Sequence, residues 1–207
     1  MIFPRPPFLL RILTSGIVHW KIPVKEKIIY LTFDDGPIQE VTPWVLETLG
    51  AFEAYATFFC VGENVEKNPS IYQKILEAGH RTGNHSFHHI QAWKTKKEDY
   101  LKDVDRANAL IGSTLFRPPH GQLTLSLIKA LKKKYSIILW SVLSYDFNRS
   151  MTPEKCLALA IKYTKPGSIV VFHDSLKAEP RMKYALPLFL EHFQSRGFSF
   201  LTLPENY

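Results

Sequence analysis

The sequence predicts an α/β fold of parallel βαβ units, arranged as an α/β barrel or a doubly wound sheet. Short apolar, β-prone runs alternate with amphipathic stretches of helical length through most of the 207 residues. Gly and Pro punctuate the junctions, as at Gly36-Pro37, Gly79 and Pro166-Gly167. Polar, reactive side chains recur where the apolar runs end, which is where such folds gather their chemistry.

Residues 1–26 are read as an N-terminal segment packed on the domain, and 27–207 as the domain itself. Phe8-Leu9-Leu10 and Ile12-Leu13 are apolar, but Arg11 interrupts them, and the run is too short to span a bilayer. It also lacks a small-residue cleavage site, so it is a poor signal peptide. No integral membrane span is expected, and a weak interfacial anchor is the minor alternative. The compartment stays open, with a cytoplasmic or membrane-surface location favoured over secretion.

The first strand is Ile28-Ile29-Tyr30-Leu31, running into Asp34-Asp35-Gly36. Thr42 is placed as N-cap of a helix to Leu49, with Pro43 at its first position and Trp44, Val45, Leu46 and Leu49 as its stripe. A strand follows at 56–61, and then a helix opened by Asn68-Pro69 and closed at Gly79. Residues 80–86 read as a short strand or loop, and 96–111 as a long charged helix. Leu115-Phe116 is a strand, 125–134 a helix, and 136–143 a single, strongly apolar strand. Thr152-Pro153 opens a helix to 163, and 168–172 is the next strand. A last helix over 181–195 is started or kinked by Pro187, and 198–203 closes the chain as a strand.

Hydrophobic residues make up 45% and charged ones 22%, ordinary for one soluble globular domain with a sizeable core. A net charge of +7 favours polyanionic surroundings such as cell-wall polymer, nucleic acid or a membrane face. The lysines at 94, 96 and 97 and at 132–134 read as solvated helix faces, and no Arg/aromatic nucleic-acid module is visible. Cys60 sits in an apolar strand as an inert thiol, and with Cys156 it makes neither a disulfide framework nor a zinc knuckle.

Asp34 and Asp35 stand at the mouth of a buried strand, where the backbone can turn both into one cleft. Close carboxylates repel, and a metal ion or cation lets both stay ionised. One can then bind metal while the other serves as a base; the bland alternative is a solvated Asp-Asp-Gly turn. His85 and His89 are four apart, the spacing at which two imidazoles on a helical turn reach one ion. His88, three from His85, competes by spacing alone. Two histidines and one carboxylate leave open coordination positions, a catalytic rather than a structural arrangement. Arg117-Pro118-Pro119-His120, Asp146-Phe147 and His173-Asp174 stand just past later apolar runs.

These motifs, in this order, resemble the polysaccharide deacetylase family, with its NodB-like domains of carbohydrate esterase family 4. The resemblance covers about 27–203, and the first two motifs together are its most specific part. It implies a distorted (β/α) barrel of about seven parallel strands. Thr32-Phe33-Asp34-Asp35-Gly36 matches the first motif, which makes Asp34 the general base and Asp35 a metal ligand. His85-Ser86 and His89 match the second, which makes His85 and His89 the other ligands and sets His88 aside. Arg117-Pro118-Pro119 matches the third, whose Arg pairs with the base. Asp146 resembles the residue that orients the catalytic His, and His173 resembles that His, the general acid. The backbone N–H of His120 takes the oxyanion position, although the family often has Tyr or Phe there. Leu143 stands where an Asp is frequent and Phe147 where a Trp is, changes expected to affect substrate fit more than the core chemistry.

The function implied is metal-dependent removal of N-acetyl groups from an N-acetylglucosamine-containing glycan, peptidoglycan or chitooligosaccharide, releasing acetate. The cofactor implied is one divalent ion, zinc first, with cobalt or nickel as alternatives. The partner is an N-acetylated oligo- or polysaccharide, with no nucleic acid; oligomeric state is not readable. The alternatives are a catalytically silent glycan-binding domain of the same fold, a deacylase of a small non-glycan amide or ester, and, resting on charge alone, a nucleic-acid binder. Trp93, Trp140 and Phe147 are candidate sugar-lining aromatics, with Trp140 read rather as core.

Overall fold

The computed structural model describes residues 14–204. The apolar run at 8–13 and its anchor alternative lie outside the described residues.

Nine strands form the frame: β1 Val18–His19, β2 Ile28–Asp34, β3 Ala56–Cys60, β4 Arg81–Asn84, β5 Leu115–Phe116, β6 Ser136–Ile138, β7 Val142–Leu143, β8 Ile169–His173 and β9 Ser199–Phe200. They lie in the order β1-β6-β5-β4-β3-β2-β8-β7, with β9 beside β2, and every named pair is parallel. Among the described residues seven α-helices accompany them: α1 Thr42–Ala51, α2 Gly62–Lys67, α3 Pro69–Glu77, α4 Lys97–Ile111, α5 Leu125–Leu131, α6 Pro153–Tyr163 and α7 Glu179–Gln194. None of these helices is long and apolar enough to cross a membrane.

The strand order itself requires a curl. β6 lies next to one edge of the sheet and β7 forms the other edge, yet only residues 139–141 separate them in the chain. Four peptide steps reach at most about 14 Å, so the two edges must come together. The result is a distorted barrel, as the family resemblance implies, and not the doubly wound sheet that the βαβ pattern left open. Its strands outnumber the expected seven because 136–143 divides into two and because the two-residue β1 is added. The final strand is shorter than 198–203: only Ser199 and Phe200 pair with β2.

Alternation along β2 sorts the interior from the outer layer. Ile29, Leu31 and Phe33 join Phe58, Val170 and Phe172 in a core against α1, α6 and α7. Tyr30 instead joins Phe59, Leu115, Ile138 and Ile169 in a separate cluster. Thr32 and Asp34 share the parity of Tyr30 and both meet the buried Arg117. β2 is buried on both faces, which explains its unbroken apolar run. Its register places Asp34 beside His173 of β8. Two expected groups therefore arrive as neighbours on one rim.

Two local expectations need correction. Thr42 does not cap α1; its hydroxyl donates to Asp174 Oδ2 at 2.6 Å and accepts from the Ile38 N–H at 2.8 Å. Pro187 does not start its helix, since α7 begins at Glu179 and runs through it, supported by a buried face of Met182, Ala185, Leu186, Phe189 and Leu190. Thr152 does cap α6, accepting from the Lys155 N–H at 3.3 Å.

Phe33 is fully buried and stacks on Phe58 with centroids 5.0 Å apart. Phe33→Ala is expected to cost about 3–5 kcal/mol in urea unfolding; a loss under about 1 kcal/mol would refute its place at the centre of the core.

Candidate active site

The site grows from the carboxyl ends of the strands. Asp34, the last residue of β2, points inward and accepts from Arg117 Nη1 at 2.6 Å, both side chains being buried. Arg117 follows β5 and is wholly enclosed. It also donates to Thr32 Oγ1 at 2.8 Å, to the Leu139 carbonyl at 3.1 Å and to the Ile138 carbonyl at 3.4 Å, and its guanidinium lies 4.0 Å from the centre of the Phe59 ring. A buried cation is tolerated only with such partners.

Asp35 turns into the same cavity through a left-handed backbone, with φ of 86°. For a residue carrying a Cβ this conformation is strained and is held only by its surroundings. Gly36 supplies part of that hold. Its N–H donates to Asp174 Oδ1 at 3.0 Å, and a Cβ built on it would lie 1.9 Å from Asp174 Oδ2. Asn64 Nδ2 donates to the Asp35 carbonyl at 2.7 Å.

Asp35 Oδ1 lies 3.4 Å from His89 Nε2 and 4.0 Å from His85 Nε2. All three donor atoms fall within 4.8 Å of one another. Ligands about 2.1 Å from a tetrahedral ion stand about 3.4 Å apart, so a small closure brings these three around one ion. His85 Nδ1–H donates to the Arg117 carbonyl at 2.7 Å, which assigns the tautomer and leaves the Nε2 lone pair facing the cavity. Burial, and then the neighbouring His89, hold the His85 pKa well below 6.5, so it is neutral and ready to coordinate. The donor set fits a divalent metal ion. His88, the competitor by spacing, turns away and bonds to Asp103.

His173, at the end of β8, faces the opposite wall. Its Nδ1 contacts Asp146 Oδ1 at 2.7 Å, and its backbone N–H donates to Asp146 Oδ2 at 2.8 Å. The Phe147 N–H also donates to Asp146 Oδ1, at 3.0 Å. Burial opposes charge on His173, but the Asp146 carboxylate, aided by Asp35 and Asp34, outweighs it and raises the pKa to about 9. Phe147 stands edge-on to the His173 ring with centroids 4.9 Å apart.

His120 occupies a short turn, Pro119–Gly121, with φ of 59°, and its ring packs edge-on to His89 at 4.6 Å. Burial, and then His89, lower its pKa. One cavity of about 310 Å³ is lined by Asp34, Asp35, His85, His89, His120 and His173. Arg117 and Asp146 stand directly behind two of these. All eight expected residues thus meet at one place. Leu143 and Phe147 form apolar wall, as does Trp140, which packs on the core and also borders the cavity rather than being core alone. Trp93 does not line it and is 69% exposed.

Three contributors escaped the sequence reading. Lys177 lines the cavity, its Nζ 5.8 Å from the Phe147 ring centre, and no motif marks it. Thr32 opens the first motif but was given no role there, yet it bonds Arg117. Asp174, beside His173, looks like a strand cap but is buried under the Asp34-Asp35-Gly36 turn. Burial raises its pKa to about 8, despite the opposing hydrogen bond from Thr42.

The polysaccharide deacetylase family matches residues 21–135. The chain belongs to that family. A peptidoglycan-N-acetylglucosamine deacetylase of Bacillus cereus is 34% identical over 199 residues, covering 92% of this chain and 93% of its own. The peptidoglycan-N-acetylmuramic acid deacetylase PdaA of Bacillus subtilis is 31% identical over 192 residues, covering 87% of this chain and 72% of its own. The crystal structure of the Bc1960 peptidoglycan N-acetylglucosamine deacetylase, in complex with 4-naphthalen-1-yl-N-oxidanyl-benzamide, superposes with a TM-score of 0.87 at 28% identity. It covers 96% of this chain and 95% of its own. The polysaccharide deacetylase fold therefore extends across the C-terminal half, which supplies Asp146 and His173.

His85→Ala and Asp35→Ala should each lower bound zinc or cobalt at least tenfold after equilibrium dialysis, while far-UV circular dichroism stays unchanged. Full metal content in both variants would remove the proposed donor set.

Proposed function

We propose that this polysaccharide deacetylase is a metal-dependent hydrolase that removes N-acetyl groups from an N-acetylglucosamine-containing glycan, with peptidoglycan as the first substrate to test. The arrangement that carries this reading is a pair of proton-handling couples flanking three metal donors. Asp34–Arg117 lies on one side at 2.6 Å and His173–Asp146 on the other at 2.7 Å. The substrates named for the B. cereus and B. subtilis relatives support the glycan class.

In this reading Asp34 accepts a proton from the attacking water. Arg117 fixes its rotamer and balances its charge in an enclosed setting. A divalent ion held by Asp35, His85 and His89, zinc first among the candidates, would supply Lewis-acid polarisation of the acetyl carbonyl and of the water. The His120 backbone N–H is assigned to the carbonyl oxygen as it gains negative charge, a contribution worth about 10²–10³ in rate at comparable sites. His173, held upright through Nδ1 by Asp146, presents its Nε2–H to the departing amine. Its raised pKa keeps that proton in place at neutral pH. The carbon–nitrogen bond breaks, acetate forms, and the glycan keeps a free amine. Leu143, Phe147 and Trp140 supply apolar wall for the sugar and its acetyl methyl.

A silent glycan-binding role would require none of these couples to be intact, so it is the lesser reading. Purified protein loaded with zinc or cobalt should release acetate from peptidoglycan or from N-acetylchitooligosaccharides. Asp34→Asn should keep its metal and lose about 10² or more of that rate; an Asp34→Asn rate within threefold of wild type would take Asp34 out of the base role. A general acid works only while protonated. The rate should therefore decline as pH rises through about 9, and His173→Gln should remove that alkaline limb. A wild-type rate that still climbed above pH 10 would contradict the assignment.

A further inference from the structure

The loop carrying both histidine donors is held from outside the site by backbone groups of α2 and by a side chain of α4. Asp103 on α4 is buried, although its charged neighbours Asp99, Lys102 and Asp105 are exposed. Its Oδ2 accepts from the Phe87 N–H at 2.8 Å and from the His88 N–H at 3.1 Å. Its Oδ1 meets His88 Nδ1 at 2.5 Å. These are the backbone groups and the side chain between the two donors, His85 and His89. The same helix turn holds the loop a second way: Asn84 Nδ2 donates to the Val104 carbonyl at 2.9 Å, and Asn84 Oδ1 accepts from the Ser86 N–H at 2.8 Å.

The loop needs such a hold. Ser86 and His89 both adopt left-handed backbone, with φ of 61° and 53°. Strained residues of this kind persist only where their neighbours over-determine them. Phe87 is seated against Gly62 with the Arg106 guanidinium 3.5 Å from its ring centre, which fixes the loop's depth. The Gly62 and Glu63 N–H groups hold the Ser86 and Phe87 carbonyls at 2.9 and 3.0 Å, and the Asp103 carboxylate holds the N–H groups of Phe87 and His88 on the other side of the same segment.

We infer that Asp103 and His88 form a positioning pair that sets the spacing of the His85 and His89 donor nitrogens for the metal ion. The inference rests on the metal-site reading above, and it gives His88 a role other than ligation. Outer partners of metal ligands typically contribute about 10–100-fold in metal affinity. Asp103 acts here through two backbone N–H groups rather than through a ligand ring.

The test is a cobalt(II) titration followed by the visible d–d absorption, with wild type, Asp103→Ala, Asp103→Asn and His88→Ala. Asp103→Ala should bind cobalt at least tenfold more weakly, with an altered d–d band. Asp103→Asn should stay within threefold of wild type, since its amide can accept from both N–H groups and donate to His88 Nδ1. His88→Ala, a change at a partly exposed side chain, should weaken binding at least threefold. A folded Asp103→Ala that binds cobalt within threefold of wild type overturns the inference. If Asp103→Ala does not fold, His88→Ala decides, and unchanged affinity there overturns it. An Asp103→Asn variant as weak as Asp103→Ala also overturns it, because geometry would then not be what matters. Wild-type protein that bound no cobalt would sink the metal-site reading and this inference together, whereas wild-type binding with an unaffected Asp103→Ala sinks this inference alone.

Discussion

The Arg117 guanidinium is the interaction on which the barrel's upper half depends. A cation enclosed by Phe59, Thr32 and Asp34 cannot be left unpaired without a large desolvation cost. Its partners therefore have to be supplied from several strands at once. Asp34 and Thr32 come from β2, while two carbonyls come from the last residue of β6 and the residue after it. That second requirement explains why 136–143 is not one strand. A continuous ladder would commit the Ile138 and Leu139 carbonyls to a neighbouring strand. Breaking it at 139–141 frees them to accept from Arg117, and it lets the chain step from one edge of the sheet to the other. Closing the barrel and satisfying the N–H donors of the buried cation are two results of one break.

The same economy appears around the Asp34-Asp35 turn. Register with β8 brings Asp34 beside His173, and the following residue, Asp174, reaches back under the turn to Gly36. Thr42 completes that contact from α1. The two carboxylates thus face the cavity because a third carboxylate, kept from solvent, occupies the space behind them. Charge is concentrated here at the expense of backbone strain. Asp35, His89 and His120 all have left-handed backbone and all line the cavity.

Much of this was legible in the residues. β2 announced itself by an unbroken β-prone run, which a strand buried on both faces must have. The reactive residues were legible because each stands just past such a run, and their order carried the family resemblance. What stayed hidden has physical reasons. Periodicity cannot reveal a strand break whose cause is an arginine 22 residues away in the chain, as with Leu139. Six residues, Gly62–Lys67, form a helix too short for a periodic signal. Thr42 looked like a cap because local sequence is where caps are read, but its partner lies 132 residues along the chain. Asp174 and Lys177 follow a motif residue without belonging to a pattern, so nothing local told a buried strut or a cavity wall from an ordinary loop.

The order of the functional groups along the chain has a consequence for assembly. Asp35, His85 and His89 all come from the first 89 residues, on or just beyond β2 and β4, which sandwich β3 in the sheet. Arg117, the partner of the proposed base, arrives just after β5, and His173, the proposed acid, only with β8. During synthesis, then, the three donors and the proposed base, Asp34, emerge before Arg117, Asp146 and His173. The early strands therefore carry most of the cavity's polar groups, but β2 gains its β8 neighbour, and Asp34 its place beside His173, only when the late part of the chain has joined the sheet.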